Sequence, residues 1–373
     1  MKKNCYLIFS VLVFYLTSCI SQENPPKIST PEKSNYSTVT VVDGIDIPWG
    51  MDFITENDLL VTEKKGVLYR VINGEKNEVA GLPEIYQRGQ GGLLDVAVHP
   101  DFKNNQIIYF TTAAFVEGDP GGNTALYTAV LNGNQLDDLK LLYKATPNTK
   151  KGQHWGSRIV FDDRGHLFFG VGDRGNRDVN PQDLKRDGGK IYRLNLDGSI
   201  PDDNPFVNED DALAAIYSYG HRNPQGMTVH PETGEIWENE HGPKGGDEIN
   251  IIKKGKNYGW PVITYGINYS GTSITDKTAL PGMEQPYYYW VPSIAPSGMA
   301  FSSSGVYRKW KGDLFVGSLK FKYLERLELK RGKVVKREKI LNEIGRIRNV
   351  KEGPDGYLYV GVEGKGILKV VKN

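Results

Sequence analysis

Six copies of one short pattern divide most of this sequence, and they constrain its fold more than any other feature. In each copy a strand-like segment is followed by a turn and by a second strand that opens with Leu, Ile or an aromatic residue. Turn signals such as HPD, DDRG, HPETG and GPDG separate the two strands. The copies are GMDFITENDLLVTE (50–63), LLDVAVHPDFKNNQIIYFTT (93–112), RIVFDDRGHLFFGVG (158–172), GMTVHPETGEIWENE (226–240), GMAFSSSGVYRKWKGDLFVGS (298–318) and NVKEGPDGYLYVGV (349–362).

Several copies continue into a third strand, for example GVLYRV, GKIYRL and GILKVV, and no long stretch holds a helical period. The 43 Gly, 20 Pro and 21 Tyr among 373 residues also favour short strands and turns. Six such units predict an all-β fold, a six-bladed β-propeller with four-stranded blades. A pair of β-sandwiches is the alternative, but it does not explain six related copies. The strand TVTVV (38–42) is expected to complete the last blade and close the ring.

The N-terminus has the features of an export signal. Lys2 and Lys3 precede an apolar stretch at 6–16, which is too short to span a bilayer and ends in Leu-Thr-Ser-Cys. This ending resembles a bacterial lipobox, whose Cys, here Cys19, becomes the lipidated first residue of the mature protein. An ordinary cleaved signal that happens to contain Cys is the alternative.

The sequence therefore predicts three parts: a lipoprotein signal peptide (1–18), a polar, Pro-containing flexible tether (19–37) and the propeller domain (38–373). The protein is expected to be exported and anchored by lipid to the cell envelope, on its periplasmic or surface face. Loss of Cys5 with the signal leaves only the acylated thiol, which excludes disulfides and Cys-bound metals.

Charge and motifs exclude several classes of function. The 46 Lys and Arg nearly balance 45 Asp and Glu, so a nucleic-acid partner is not expected and any basic site must be local. The sequence contains no H-E-x-x-H, C-x-x-C or Walker A motif, so nothing supports a zinc protease, a redox dithiol or a nucleoside-triphosphate site.

In a propeller the segments that lead into the first strand of each blade open onto one face of the channel. Five of the six segments in this sequence carry polar or charged groups, which predicts that these groups converge at one end of the axis. A lone His is more often structural, and it is this convergence that favours a functional role for His154. The segments are 48–49, 88–90, 154–155, 221–224, 293–296 and 346–348.

Two further stretches belong to this end of the channel. GVGDRG (170–175) matches a dinucleotide-binding pattern literally, but no helix or βαβ unit follows it. We interpret it as a turn that places Asp173 near His154, where it orients the imidazole and raises its basicity. The segment 240–261 is rich in Gly and acids, and Asp247 and Glu248 offer hard oxygen ligands that suit calcium. A solvated acidic turn is the alternative for that pair.

Several segments, taken together, resemble the soluble pyrroloquinoline-quinone (PQQ)-dependent glucose/sorbosone (aldose sugar) dehydrogenase family. They are QGGLLDVAVHPDF, HWGSRIVFDDRGHLFFGVGDRG, GHRNPQGM, EHGPKGGDEIN with NYGWP, PSIAPSGMAF and GSLK. The resemblance covers about residues 40–372 in order. It implies a six-bladed propeller that holds PQQ and Ca²⁺ at one end of the channel.

The resemblance also implies roles for individual residues. His154 is similar to the family's general base, and Asp173 to the carboxylate behind that base. Arg222 and Asn223 match the pair that holds the quinone and faces the substrate oxygen, where Arg222 can stabilise negative charge. Other implied cofactor contacts are Gln90, Lys320, Arg346 and Arg348.

Two calcium ions are implied in the same way. The backbone carbonyls of Gly242 and Pro243 match ligands of the cofactor-linked ion. Glu248 and the carbonyl of Tyr258 match ligands of a second, structural ion.

The function implied is oxidation of an aldose at the C1 hydroxyl to the lactone, by hydride transfer to PQQ. The electron acceptor is not indicated, and the membrane is expected to be contacted through the lipid anchor only. Two alternatives come from other classes: a calcium-dependent propeller hydrolase such as a lactonase, and a non-catalytic surface-binding propeller. The first would need a channel metal ringed by acids. The second would be expected to break the basic set Arg346, Arg348 and Lys320, which is intact in this chain.

Overall fold

The computed structural model describes residues 28–29 and 35–372, in which the regular structure is twenty-five strands and one short helix. The predicted signal peptide, Cys19 and most of the predicted tether lie outside these residues. Within the described part of the chain, no helix is long and apolar enough to cross a bilayer.

The strands follow one another in six antiparallel sheets, or blades. Two strands precede the first blade: β1 (Ile28–Ser29) and β2 (Tyr36–Val42). Blade 1 contains β3 (Pro48–Thr55), β4 (Asp58–Glu63), β5 (Val67–Ile72) and β6 (Glu75–Val79). Blade 2 contains β7 (Leu93–Val98), the helix α1 (Phe102–Asn105), β8 (Ile107–Val116), β9 (Asp119–Asn132) and β10 (Gln135–Lys144). Blade 3 contains β11 (Ile159–Phe161), β12 (His166–Val171), β13 (Lys190–Asn195) and β14 (Ile216–Tyr219).

The second half of the chain continues in the same way. Blade 4 contains β15 (Pro224–Val229), β16 (Ile236–Glu240), β17 (Asp247–Ile251) and β18 (Tyr288–Trp290). Blade 5 contains β19 (Pro296–Phe301), β20 (Leu314–Ser318), β21 (Leu324–Lys330) and β22 (Lys333–Ile340). Blade 6 contains β23 (Ile347–Glu352), β24 (Leu358–Val362) and β25 (Gly366–Lys372), with β2 as its outermost strand.

This arrangement confirms the six-bladed propeller. Each blade is an antiparallel sheet, and the innermost strands contact one another around the ring, with β23 beside β3. Strand β2 pairs with β25, so the N-terminal strand closes the last blade as predicted. The second strand of each blade is buried on both faces between neighbouring blades. This burial explains the mainly apolar sequence of most of these strands, as in LFVGS of β20, whereas β16 carries two glutamates.

Arg158 closes the middle of the channel. Its Nε donates to the Gln225 carbonyl at 2.8 Å, and its Nη2 donates to the Arg348 carbonyl at 2.7 Å. Its Nη1 donates to the Trp49 carbonyl at 2.8 Å and to Asp95 Oδ1 at 2.9 Å. These partners come from blades 1, 2, 4 and 6, so one buried side chain of blade 3 ties five blades together.

One feature of the N-terminal segment differs from the prediction of a plain tether over 19–37. Ile28 and Ser29 form a fifth strand on the outer edge of blade 5, parallel to β22. Ser29 Oγ also donates to the Arg337 carbonyl at 3.1 Å. A two-residue pairing has no sequence periodicity, so the repeat pattern carries no signal for it.

Candidate active site

His154 lies in the loop that leads into β11, at the end of the channel where the inner strands begin. Its backbone is left-handed (φ 57°), a conformation that costs a residue other than Gly about 1–3 kcal/mol and persists where surrounding contacts impose it. One such contact is the hydrogen bond from its N–H to Gln90 Oε1 at 2.9 Å. Its Nδ1 lies 2.7 Å from Asp173 Oδ1, so the structure brings together the two residues that the sequence pattern paired.

Both oxygens of Asp173 are held by donors. Oδ1 also accepts the Gly175 N–H at 2.7 Å, and Oδ2 accepts the indole N–H of Trp260 at 2.9 Å. Trp260 was not singled out from the sequence, although it lies in the NYGWP segment. The imidazole of His154 is therefore oriented by a buried carboxylate that is itself fixed from blade 4.

The electrostatics of this pair suit a proton acceptor. Burial lowers the pKa of His154 below its usual 6.5, and the hydrogen bond to Asp173 opposes this only in part. Burial alone would raise the pKa of Asp173, but the hydrogen bond and charge of His154 and the charge of Arg222 hold it below 3.8. Near neutral pH the carboxylate is ionised and the imidazole neutral, so Nδ1 carries the proton and Nε2 is the acceptor.

Arg174, the next residue along, holds the loop that carries His154. Its guanidinium donates to the carbonyls of Gln153 and Lys151 and lies 3.4 Å above the ring of Trp155. Its side chain is fully buried, and burial lowers its pKa to about 9. Two consecutive residues of GVGDRG thus position His154, one through the ring and one through the peptide backbone.

Arg222 and Asn223 lie at the start of β15, on the same end of the channel. Arg222 Nη1 donates to the carbonyls of His241 and Gly242, each at 2.8 Å. Among the described residues, Arg222 Nε and Asn223 Nδ2 are buried without a hydrogen-bond partner. Buried donors of this kind are costly unless something satisfies them, so both are available to a ligand.

The remaining basic residues of the predicted set come from blades 5 and 6. Arg346 and Arg348 share Glu363, with Nε–O distances of 2.7 and 3.1 Å, and Arg348 lies 4.6 Å from the ring of Trp49. Lys320 is exposed and follows Leu319, whose carbonyl accepts Arg346 Nη1 at 3.2 Å. Glu363 was missed from the sequence; it removes one charge from the cluster and leaves it cationic.

Asp247 was interpreted as a candidate calcium ligand, and the structure gives it a different role. Its oxygens accept the backbone N–H groups of Gly242, Ile294 and Ala295 and the hydroxyl of Ser293, at 2.7–2.9 Å. Burial raises its pKa to about 6. Asp247 therefore shapes the turn that carries the Gly242 and Pro243 carbonyls, and its oxygens are taken up by the protein.

Glu248 instead belongs to a buried acidic cluster. The ligand atoms of His221, Glu238 and Glu240 lie within 4.8 Å of one another, and Asn250 Nδ2 lies 3.3–3.5 Å from Glu238, Glu240 and Glu248. Burial and the charge of Glu240 raise the pKa of both Glu238 and Glu248 well above the usual value. In the part of the chain that the structure describes, Glu238 Oε1 and Asn250 Oδ1 have no partner. Glu240, Glu248 and Tyr258 line one small cavity, which suits a hard cation.

Comparison with known proteins shows the family to which this chain belongs. Residues 45–369 match the sequence model of the family described as glucose/sorbosone dehydrogenase. The chain belongs to the glucose/sorbosone dehydrogenase family. The aldose sugar dehydrogenase YliI of Escherichia coli (strain K12) is 42% identical over 325 residues, covering 85% of this chain and 87% of YliI.

Solved structures of other dehydrogenases are similar to this family member. The apo form of the soluble aldose sugar dehydrogenase of E. coli has a TM-score of 0.87 at 40% identity, covering 91% of this chain and 100% of that chain. The PQQ-bound form of the aldose sugar dehydrogenase of Streptomyces coelicolor has a TM-score of 0.74 at 28% identity, covering 92% and 99%. The family resemblance seen in the sequence is confirmed, while the roles of its site residues stay predictions.

Proposed function

We propose that this protein oxidises the C1 hydroxyl of aldose sugars to the lactone, using bound PQQ and Ca²⁺. The observation that carries the proposal is the His154–Asp173 pair, 2.7 Å apart, beside a cationic pocket with buried unsatisfied donors. The similarity to aldose sugar dehydrogenases, one of them solved with PQQ bound, supports the same conclusion.

The residues present fit PQQ, a planar ortho-quinone that carries three carboxylates. Guanidinium groups match carboxylates in geometry, and Lys320, Arg222, Arg346 and Arg348 supply cations from three blades. Arg222 Nε and Asn223 Nδ2 are the donors that a bound anion would satisfy.

The residues also fit two calcium ions. The turn fixed by Asp247 would offer the carbonyls of Gly242 and Pro243; the Gly242 carbonyl already accepts Arg222, but a carbonyl has two lone pairs. Glu248 and the Tyr258 carbonyl would hold the second ion, and the unpartnered oxygens of Glu238 and Asn250 extend that donor set. When bound together, the quinone accepts hydride and calcium polarises the carbonyl that receives it.

The chain's own residues perform the proton chemistry. His154 Nε2 takes the proton of the C1 hydroxyl while the C1 hydrogen departs as hydride, so the C–O single bond becomes the lactone carbonyl. A base placed in this way contributes roughly 10²–10⁴-fold to the rate. Asp173 holds the ring in the tautomer that leaves Nε2 free, and Arg222 stabilises negative charge on the substrate oxygen.

The location of the enzyme is also a proposal. We infer that Cys19 is acylated and anchors the protein to the cell envelope, because Leu-Thr-Ser precedes it at the end of the apolar stretch. Cys19→Ala should then move the protein from the detergent phase to the aqueous phase in a partition assay. Unchanged partitioning would show that the anchor is wrong.

Reconstitution tests the enzymatic proposal. Purified apoprotein is loaded with PQQ and Ca²⁺, and aldoses are screened with an artificial dye as electron acceptor. We expect sugar-dependent dye reduction that requires both PQQ and Ca²⁺. Failure to bind PQQ in the presence of Ca²⁺ would contradict the proposal, and hydrolysis of a lactone without PQQ would favour the hydrolase instead.

A further inference from the structure

Blade 5 carries a charge unlike that of the whole protein. Between Pro296 and Ile340 there are twelve Lys and Arg and four Asp and Glu, a net charge of +8. The complete chain has a net charge of only +1. The positive charge is therefore concentrated in one blade, and the rest of the molecule is acidic.

Most cations of this blade are exposed, whereas its acids are buried or half-buried. Asp313 and Glu325 are buried, and Glu328 and Glu338 are half-buried. Arg326 draws three of these carboxylates inward, with Nη–O distances of 2.7 Å to Asp313, 2.7 Å to Glu338 and 3.6 Å to Glu328. The exposed cations are Arg308, Lys309, Lys311, Lys320, Lys322, Lys330, Arg331, Lys333 and Lys336.

Strand direction places most of these cations at the end of the propeller opposite the active site. Strand β19 begins beside the site, where the Pro296 carbonyl lies 2.6 Å from His241 Nε2, and runs away from it. The loop 302–313 that follows β19 and the turn 331–332 between β21 and β22 therefore lie at the far end. We call five residues there the blade 5 cationic end: Arg308, Lys309, Lys311, Lys330 and Arg331.

The acids near the blade 5 cationic end leave most of its charge uncompensated. Lys330 contacts the half-buried Glu328 at 2.5 Å. Glu352 of blade 6 is engaged by the backbone N–H groups of Ser303 and Ser304 at 2.9–3.1 Å. Exposed Glu232 and Glu235 of blade 4 line a cavity together with Lys330 and Arg331, at the edge of the blade 5 cationic end.

The N-terminal segment approaches this same end. Strand β1 is parallel to β22, and β22 runs from Lys333, beside the cationic end, toward the active-site end. The chain therefore enters β1 at Ile28 from the side of the blade 5 cationic end. Ile28 is the ninth residue after Cys19, so the chain between them has a contour of about 30 Å at most.

We propose that the blade 5 cationic end rests on the anionic lipid headgroups of the membrane that holds the anchor. Clusters of four to eight Lys and Arg near a membrane attachment point bind such surfaces by electrostatic attraction. A lipid chain combined with a polybasic patch gives a firmer attachment than the chain alone. The active-site end then opens away from the bilayer, toward the solution that supplies the sugar. This proposal rests on the proposed anchoring at Cys19 and is independent of the catalytic proposal.

Lysine labelling on vesicles tests this orientation. The full-length lipoprotein is reconstituted into vesicles of phosphatidylcholine alone or of phosphatidylcholine with phosphatidylglycerol. Acetylation rates of individual lysines are then measured by mass spectrometry. We expect Lys309, Lys311 and Lys330 to react several-fold more slowly on the anionic vesicles. In 1 M NaCl, where the Debye length is about 3 Å, this protection should disappear.

Matched variants separate this surface from a general effect of charge. Lys309→Glu/Lys311→Glu/Arg331→Glu should abolish the protection of Lys330. Lys140→Glu/Lys185→Glu/Lys277→Glu changes the net charge equally at exposed positions of other blades and should leave it intact. Equal labelling on both vesicle types would overturn the proposal. So would protection by soluble polyglutamate but not by anionic vesicles, because the partner would then be an acidic protein.

Discussion

The middle of the channel and its active-site end both bury charged groups, but they satisfy them differently. In the middle, the guanidinium of Arg158 finds three carbonyls and Asp95. At the active-site end, Arg222 Nε, Asn223 Nδ2, Glu238 Oε1 and Asn250 Oδ1 are buried without partners in the described chain.

The difference separates polar groups that find hydrogen-bond partners within the protein from polar groups that would find them in a ligand. The middle is a structural tie whose polar groups are paired on folding. At the active-site end, the His154–Asp173–Trp260 chain of hydrogen bonds is already formed within the protein. The unpaired donors beside it suit an organic anion, and the unpaired acceptors suit cations. Perturbing the middle should therefore change stability, and perturbing the active-site end should change ligand response and turnover.

The largest expected effect on stability comes from the middle. Arg158→Met leaves Asp95 as a buried carboxylate without its cation, which costs about 3–5 kcal/mol in the free energy of unfolding. Denaturant unfolding measures this change. Arg346→Met is the control, since that side chain is partly exposed and should change stability by no more than about 0.5 kcal/mol. A small effect of Arg158→Met would show that the tie is not structural.

Calcium should have the next largest effect, and it should act on the active-site end. An ion that binds only the folded state stabilises it by about 2.7 kcal/mol when free Ca²⁺ is about 100 times Kd. Chelation should therefore lower Tm and abolish PQQ binding. Glu238→Gln should reduce the gain in Tm on adding Ca²⁺, whereas Glu232→Gln, on the surface of the same blade, should not. Identical melting curves with and without chelator would argue against a structural ion.

The residues behind the proposed base should have smaller effects, on turnover rather than on stability. Asp173→Asn removes the charge that orients His154 and should lower kcat about tenfold. Trp260→Phe removes one N–H donor to that carboxylate and should lower kcat about fivefold, the equivalent of one hydrogen bond. Trp237→Phe is the matched control, because Trp237 is also buried but its indole N–H has no partner among the described residues. Equal kcat for Trp260→Phe and wild type would show that the hydrogen bond from Trp260 does not support the function of His154.

The smallest expected effect is a displacement of the pH profile. The base must be neutral, so kcat/KM should fall as pH drops through the pKa of His154, which burial places below 6.5. Asp173→Asn should move this acid limb to still lower pH, because the bond to Asp173 raises that pKa. Steady-state kinetics from acidic to neutral pH measure it, and an acid limb above the usual histidine pKa of about 6.5 would assign it to another group.

Much of the fold was predictable because each blade carries its own turn signals. The second strands begin at 58, 107, 166, 236, 314 and 358, each inside one of the six segments that the pattern marked. The pairing of β2 with β25 was also predictable, since closing a propeller removes the exposed edges of its sheets. Strand β1 was not, because two residues paired to a distant edge leave no local pattern.

The candidate site was predictable where the position of a residue depends on where a strand begins or ends. His154 and Asp173 precede or follow strands of one blade, so blade geometry brings them together. Glu238 and Glu240 were missed, although they alternate with Trp237 and Asn239 in a strand that is buried throughout and stand where apolar residues are expected. Trp260 was missed because its contact crosses between blades, which no local spacing records.

A single-turnover experiment tests the central claim, that a protein-built base acts on a sugar beside a bound quinone. PQQ- and Ca²⁺-loaded enzyme is mixed with aldose without oxygen or dye, and reduction of the bound cofactor is followed by absorbance. His154→Gln should bind PQQ as tightly as wild type but reduce it at least about 10²-fold more slowly. Lys320→Ala should bind PQQ more weakly and, once loaded, reduce it at nearly the wild-type rate. Reduction by saturated His154→Gln at the wild-type rate would contradict the account.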